Sequence, residues 1–325
     1  MNKIQCMTLI AASAFIAANG YAQPDTAFPV KPIRIIVPSA PGSGPDIMAR
    51  AIGQKLTEYL GQPIVIDDKS GAGGIIGAET AAKSAPDGYT LIMANAGSHA
   101  VNASLYAKLP YDPVRDFAPI TLVAMAPNIL IVHPALPANS VRDLIALAKS
   151  RPGELTFGSG GNGSTAHLSG EMFRTMAGIN IVHIPFKGSP AAVVGVIAGQ
   201  IAMAFPNIPP ALPHVRSGKL KALAVTTAKR SAAVPELPTV AESGLPDYAA
   251  TAWFGLLAPA GTPGAIVAKL NAATVKSVHL RDMQDRLAAE GTEAVGNSPE
   301  QFAQIIKTDI AKWAKVVKAS GAKAE

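Results

Sequence analysis

Two glycine-rich segments stand where a buried strand gives way to a helix, and they are the residues of this 325-residue chain best placed to do chemistry. The first is Ala40-Pro41-Gly42-Ser43-Gly44, ahead of Pro45-Asp46. The second runs Ser159-Gly160-Gly161-Asn162-Gly163, with Ser164 or Thr165 suited to an N-cap and a hydroxyl donor. In open α/β sheets such loops lie at the carboxyl ends of strands, where ligands bind. The unpaired N–H groups of a first helical turn, and the positive end of the helix dipole, favour an anion there. One such loop is more often only a tight turn. Two of them, one in each half of the chain, can face across a cleft and hold a carboxylate without lysine or arginine.

Smaller candidates follow strands expected to end at the same cleft. Ala96-Gly97 leads to Ser98 and His99. Phe186-Lys187-Gly188-Ser189 can bring a positive charge, and Phe205-Pro206-Asn207 can point an amide at a ligand. A rival reading uses the second loop. Gly158, Gly160 and Gly163 satisfy G-x-G-x-x-G after a strand and before a helix, the mark of an exported dinucleotide-dependent oxidoreductase. The confirming acid about 20 residues on is missing, since 178–183 reads Gly-Ile-Asn-Ile-Val-His.

Other enzyme chemistry finds no support. No serine lies in G-x-S-x-G. Of the six histidines (99, 133, 167, 183, 214 and 279), the closest pair is 16 residues apart (183 − 167), and none has a short metal-ligand spacing. Only His99 and His167 follow loops placed at the cleft. Asp67-Asp68, adjacent after a strand, point apart and read as a solvated turn. The expectation is therefore no catalytic residue, no metal, no cofactor, and not an enzyme.

The elements that must position these loops alternate strand and helix, the pattern of α/β layering. Strands are expected at Ile33–Val37, Pro63–Asp67 and Thr90–Ala94, with helices starting at Pro45 (ended by Gly61) and running through Ala82. The pattern repeats with strands at Ile129–Val132, Leu155–Phe157, Ile181–Ile184, Ala202–Phe205 and Leu220–Thr226. Helices fall at Val141–Lys149, after Thr165 and at Pro190–Ala198. Pro110–Pro127 reads as a crossover, Trp253–Ala258 as a returning strand, and Pro263–Lys318 as mostly helical. The expected layout is a hinged clamshell of two doubly wound α/β lobes: 23–125 plus 251–325 as lobe one, 126–250 as lobe two.

Residues 1–22 read as a secretory signal. Lys3 precedes an apolar run from Met7 to Ala18, and Gly20-Tyr21-Ala22 suits cleavage before Gln23. The run is shorter than the ~20 residues of a spanning helix. Cys6, the one cysteine, lies inside it, so the mature chain has no thiol and no disulfide. With 49% hydrophobic and 15% charged residues the chain is globular. The net charge of +6, or +5 without Lys3, is spread along the chain without interleaved aromatics, which argues against a nucleic-acid partner.

Many short segments, in one order along the mature chain, resemble the Bug (tripartite tricarboxylate transporter, TctC-like) periplasmic substrate-binding proteins. They include Phe28-Pro29-Val30-Lys31-Pro32-Ile33-Arg34, Pro41-Gly42-Ser43-Gly44-Pro45-Asp46 and Gly71-Ala72-Gly73-Gly74. Ala85-Pro86-Asp87-Gly88-Tyr89-Thr90, Leu109-Pro110-Tyr111-Asp112-Pro113 and Gly163-Ser164-Thr165-Ala166-His167-Leu168-Ser169-Gly170-Glu171 follow. Phe186-Lys187-Gly188-Ser189, Leu237-Pro238-Thr239-Val240-Ala241-Glu242 and Ala258-Pro259-Ala260-Gly261-Thr262-Pro263 complete the series. The resemblance implies a Venus-flytrap, periplasmic-binding-protein fold whose C-terminal helices return to lobe one. It implies a periplasmic, monomeric receptor for a small mono- or dicarboxylate, partnered by separate integral-membrane permease subunits. It places Pro41, Gly42 and Ser43 of lobe one, and Ser164, Thr165 and His167 of lobe two, at the ligand; the strand ends and loops read above add Ser98, His99, Ser159, Lys187 and Asn207 as candidates around them. Two departures stand out. The family's first loop usually reads P-G-G-x-T-D, where this chain has Ser43 and Pro45. Pro206 stands where the family often has an aspartate able to meet an amino group, which argues against an amino-acid ligand.

Overall fold

Buried apolar strands separated by amphipathic helices build two distinct sheets in the computed structural model, which describes residues 28–289 and 291–321. The expected signal segment, 1–22, lies outside the described residues. The first sheet begins with β1 (Ile33–Val37), α1 (Gly44–Leu60), β2 (Ile64–Asp68), α2 (Ile75–Ala82) and β3 (Thr90–Asn95). A π-turn (Gly97–Val101) and the short α3 (Asn102–Leu105) lead to β4 (Phe117–Pro127). The second sheet collects β5 (Ile129–Val132), α4 (Val141–Ser150), β6 (Thr156–Ser159), α5 (Thr165–Ala177) and β7 (Val182–Pro185). It is completed by α6 (Ser189–Ile197), β8 (Met203–Ala204), α7 (Ile208–Arg216) and β9 (Lys221–Val225). The chain then returns through β10 (Thr251–Pro259), α8 (Gly264–Val278), α9 (Arg281–Ala289), β11 (Glu293–Ala294) and α10 (Pro299–Ser320).

The first sheet runs β11-β4-β10-β3-β1-β2, with β1 parallel to β2 and β3, and β10 antiparallel between β3 and β4. The second runs β7-β6-β8-β5-β9, with β5 antiparallel between β8 and β9. Each is a mixed sheet with helices on its faces, and the whole is two-lobed. The chain crosses between sheets at Asn128, the single residue between β4 and β5, and again between β9 and β10. Helix boundaries follow local chemistry. Pro45 sits in the first turn of α1, and Gly61 ends it in the left-handed region (φ 68°), its N–H closing on Thr57 O.

Two elements differ from expectation. Pro110–Pro127 does not simply cross over: 117–127 forms an eleven-residue strand in the first sheet. Prolines 119 and 127 mask it, and Pro119 pairs with Leu257 beside a register shift, the kind of irregularity where a missing N–H costs no ladder bond. Likewise α7 contains Pro209, Pro210 and Pro213, which read as loop. The first two fall where helical N–H groups have no intrahelical acceptor.

The C-terminal helices pack on the first lobe, and α10 continues beyond it. Phe302 and Ile306 join Trp253 in the first core, while Trp313 and Val317 join Phe157 and Phe173 in the second, together with Ala100, Val101 and Leu105. Trp313 is fully buried, and its Nε1 finds no hydrogen-bond partner among the described residues. Trp313→Ala is expected to cost about 3–5 kcal/mol of unfolding free energy in a urea titration. Trp313→Phe removes the orphaned donor and is expected to cost under about 1.5 kcal/mol. Equal losses from both would show that indole volume is not what the site needs.

Candidate ligand site between the lobes

The first loop leaves β1 and turns at Gly42 (φ 74°) into α1. Its shape is set by Asp46, whose Oδ2 accepts the Gly42 N–H at 2.7 Å. Asp46 is gripped in turn by Arg50 (Nε to Oδ1, 2.7 Å), which also reaches Asp68 Oδ2 at 2.8 Å. Burial, then the neighbouring Asp46 charge, raises the Asp68 carboxyl above its ordinary range. The Asp67-Asp68 pair is thus not a solvated turn. Both residues lie in β2, pointing apart, Asp67 towards Arg34 and Lys69 and Asp68 towards Arg50. Ser43 occupies the N-cap position of α1 but does not cap it; its hydroxyl donates to Ser39 Oγ at 3.0 Å. The N–H groups of Gly44 and Asp46 find no hydrogen-bond partner among the described residues. That end of α1 keeps two unpaired donors beside the Asp46 carboxylate, which already offsets part of the helix dipole.

The second loop is braced by two histidines. Ser159 Oγ shares a 2.7 Å hydrogen bond with His183 Nε2 and accepts the Gly161 N–H at 3.1 Å. His167 Nδ1 accepts the Gly163 N–H at 3.2 Å. The two imidazoles stack at 4.1 Å because β7 lies beside β6 and α5 packs over both. Burial pushes His167 down to about 3, helped by His183 and Arg174, and pushes His183 down to about 4. Both rings are neutral, and His167 turns its second nitrogen towards Glu171 Oε1, 3.9 Å away. Ser164 is the N-cap of α5, accepting the His167 N–H at 3.2 Å. The Thr165 hydroxyl, half-buried, and the N–H groups of Thr165 and Ala166 have no partner among the described residues.

The loops meet across the lobes. A Cβ added to Gly188 would stand 2.6 Å from Ala40 Cβ, and one added to Gly42 would stand 3.7 Å from Pro190 Cγ. One on Gly97 would lie 2.8 Å from Gly163 O, and one on Gly73 would run into Asn162 O. Pro41 and Gly42 are exposed, while Ser43 is buried. Ser98 and His99 face inwards. Ser98 Oγ bonds His99 Nδ1 at 2.9 Å, and the His99 ring, fully buried against Phe117 and Tyr111, is pushed down to about 3. Lys187 is exposed. Asn207 turns its amide nitrogen into the protein, donating to Asn128 Oδ1 at 2.7 Å, and leaves its oxygen facing Gly44 of the other lobe. Sequence reasoning passed over Gly73, Asn102, Asn128 and His183, which reach the site only through long-range packing. A cavity of about 520 Å³ between 227–233 and 284–294 contains none of these loop residues.

Residues 48–322 match the family model described as "Tripartite tricarboxylate transporter family receptor". The chain is 40% identical over 326 residues to Protein BugT of Bordetella pertussis, covering 99% of each. The chain belongs to this family. Its members are periplasmic solute-binding receptors, and this one is a transport receptor rather than an oxidoreductase. Among solved structures, R. palustris Rpa4515 with adipate is 40% identical with a TM-score of 0.89, covering 91% of this chain and 99% of that one. MatC from Rhodopseudomonas palustris with bound malate is 34% identical with a TM-score of 0.85, covering 89% and 100%.

The receptor's geometry agrees with setting the dinucleotide reading aside. Gly158 lies against the Ile201 and Phe186 side chains, so its missing Cβ serves core packing, not approach to a pyrophosphate. Among the described residues no helix is long and apolar enough to cross a membrane, and no group of three or more His, Cys, Asp or Glu is placed to hold a metal ion.

The buried histidines carry a pH signature. An unfolded histidine titrates near 6.5, while His99, His167 and His183 stay neutral far below that when folded. Between about pH 6.5 and 5 the unfolded chain takes up protons that the folded receptor refuses. Stability, fully present above pH 6.5, is expected to fall with decreasing pH by up to about 1.4 kcal/mol per pH unit for each histidine. Urea midpoints at pH 7.5, 6 and 5 check this, and His99→Leu should remove one histidine's share of the slope. A flat profile would mean that the rings titrate alike in both states.

Proposed function

We propose that this receptor captures a small organic mono- or dicarboxylate between its lobes and hands it to separate integral-membrane permease subunits, without catalysis. The carrying observation is a pair of helix N-termini at the seam between the lobes, each with unpartnered N–H groups among the described residues. α1 offers the N–H groups of Gly44 and Asp46, α5 those of Thr165 and Ala166 with the Thr165 hydroxyl, and no buried lysine or arginine stands between them. Such ends bind a carboxylate through fixed partial charges. The relatives holding adipate and malate support that ligand class.

The proposed site comprises Pro41, Gly42, Ser43, Ser98, His99, Ser159, Ser164, Thr165, His167, Lys187 and Asn207. Within it Thr165 and the helix-end N–H groups meet the ligand, while Ser159, His167, Ser98 and His99 shape the loops that present them. The working form is a periplasmic monomer released by cleavage near Ala22, with 23–125 plus 251–325 as lobe one and 126–250 as lobe two.

A thermal-shift panel of organic acids that includes adipate and malate tests the reading. A bound acid at 100 times its Kd is expected to add about 2.7 kcal/mol of stability. Stabilisation by none of them, or turnover with a nicotinamide cofactor, would overturn it. Ser164→Ala combined with Thr165→Val is expected to weaken the best acid at least tenfold by calorimetry. Unchanged affinity would remove those hydroxyls from the site.

A further inference from the structure

Asn128 is the one residue between β4 and β5, so it sits in the crossing between the lobes, and it is fully buried. Its backbone is knitted to the second crossing: its N–H donates to Thr226 Oγ1 at 3.0 Å, its carbonyl accepts the Thr226 N–H at 2.9 Å, and Thr226 Oγ1 reaches Ala250 O at 2.6 Å. Its side chain uses both ends. Nδ2 donates to Ser169 Oγ on α5 at 2.9 Å, and Oδ1 accepts from Asn207 Nδ2 at 2.7 Å.

The second bond decides which way the Asn207 amide points. With Nδ2 spent on Asn128, Oδ1 faces the opposite lobe, 2.9 Å from the place a Cβ on Gly44 would occupy. Gly44 opens the 17-residue α1, the helix whose N-cap serine does not cap it and whose Gly44 and Asp46 N–H groups are unpartnered among the described residues. An acceptor oxygen at that end is favoured by the helix dipole, as an N-cap oxygen would be. Asn207 makes no side-chain cap bond to its own helix, α7, so its amide has no local task. The other cross-lobe contacts have the same character, with carbonyl oxygen against glycine: Asn162 O at Gly73, Gly163 O at Gly97 and Asn102 Oδ1 at Gly163.

We propose that Asn128 is a positioning residue for capture: from the hinge it aims Asn207 Oδ1 at Gly44, the first residue of α1 in the other lobe, so that the amide oxygen rests against that backbone in the field of the helix end, leaving its N–H groups uncapped, and favours closure. A merely structural pair of satisfied amides would stabilise lobe two without altering the balance between open and closed arrangements.

The test reads that balance without added carboxylate, so its outcome is separate from ligand identity. The chain from residue 23 has no cysteine, and spin labels at Gln54→Cys on α1 and Lys149→Cys on α4 report the lobe separation by double electron–electron resonance. The parent is expected to show a closed-distance population. Asn207→Ala and Asn128→Ala should each lower the closed-to-open ratio at least fivefold, and the double variant should lower it no further. Asn128→Asp keeps the acceptor that holds Asn207 Nδ2, with Ser169 Oγ able to donate to its other oxygen, and should stay within twofold of the parent. Gly97→Ala, whose Cβ would meet Gly163 O at 2.8 Å, sets the open end of the scale. A parent showing only the open distance, an unchanged ratio in Asn207→Ala, or an aspartate variant as open as the alanine one would overturn the proposal. Thermal melts confirm folding, and should Asn128→Ala fail to fold, Asn207→Ala and Asn128→Asp decide together.

Discussion

Backbone lies directly against backbone where the two lobes meet, and this constraint governs the rest of the site. Carbonyl oxygens of one lobe occupy space that a Cβ would need at Gly73 and Gly97 of the other. The contact is short because neither side presents a side chain there. It brings the second loop, at the end of β6 and the start of α5, against the first lobe. The proposed recognition rests on N–H groups and hydroxyls held by the fold instead of on long charged side chains, which lose more freedom when they are ordered.

The two loops are held on rigid mounts of different chemistry. In the first lobe an ion-paired cluster, Asp46, Arg50 and Asp68, holds Gly42. In the second, two stacked neutral imidazoles hold Ser159 and Gly163. Neutral histidine suits the task because one ring nitrogen can accept a backbone N–H without bringing a cation beneath the loop. The cost is desolvation of both rings, which is why their proton affinity is so low.

The two lobes, the strand-loop-helix placement of Gly42 and Gly163, and the capping role of Ser164 were legible because each is a local pattern: period, glycine, N-cap. β4 was not, since Pro119 and Pro127 read as loop until Pro119 is seen beside an irregularity in β4 and Pro127 at the end of the strand. α7 was hidden by its three prolines. His183 and Asn128 were invisible as site residues for another reason. His183 meets Ser159 only because β7 is parallel to β6, and Asn128 meets Asn207 only because β5 lies next to β8. Pairings of that kind are properties of sheet order, which the linear pattern does not contain. The inward turn of His99 follows the same logic, being set by Phe117 and Tyr111 arriving from outside its own segment.

The last helix belongs to both cores, with Phe302 in one and Trp313 in the other. Domains usually fold as units, the N-terminal one first, as the chain emerges. Here neither lobe owns a complete core until the final stretch of polypeptide is present. Synthesis therefore ends before either core can close, and the position of the last tryptophan sets a built-in delay on folding.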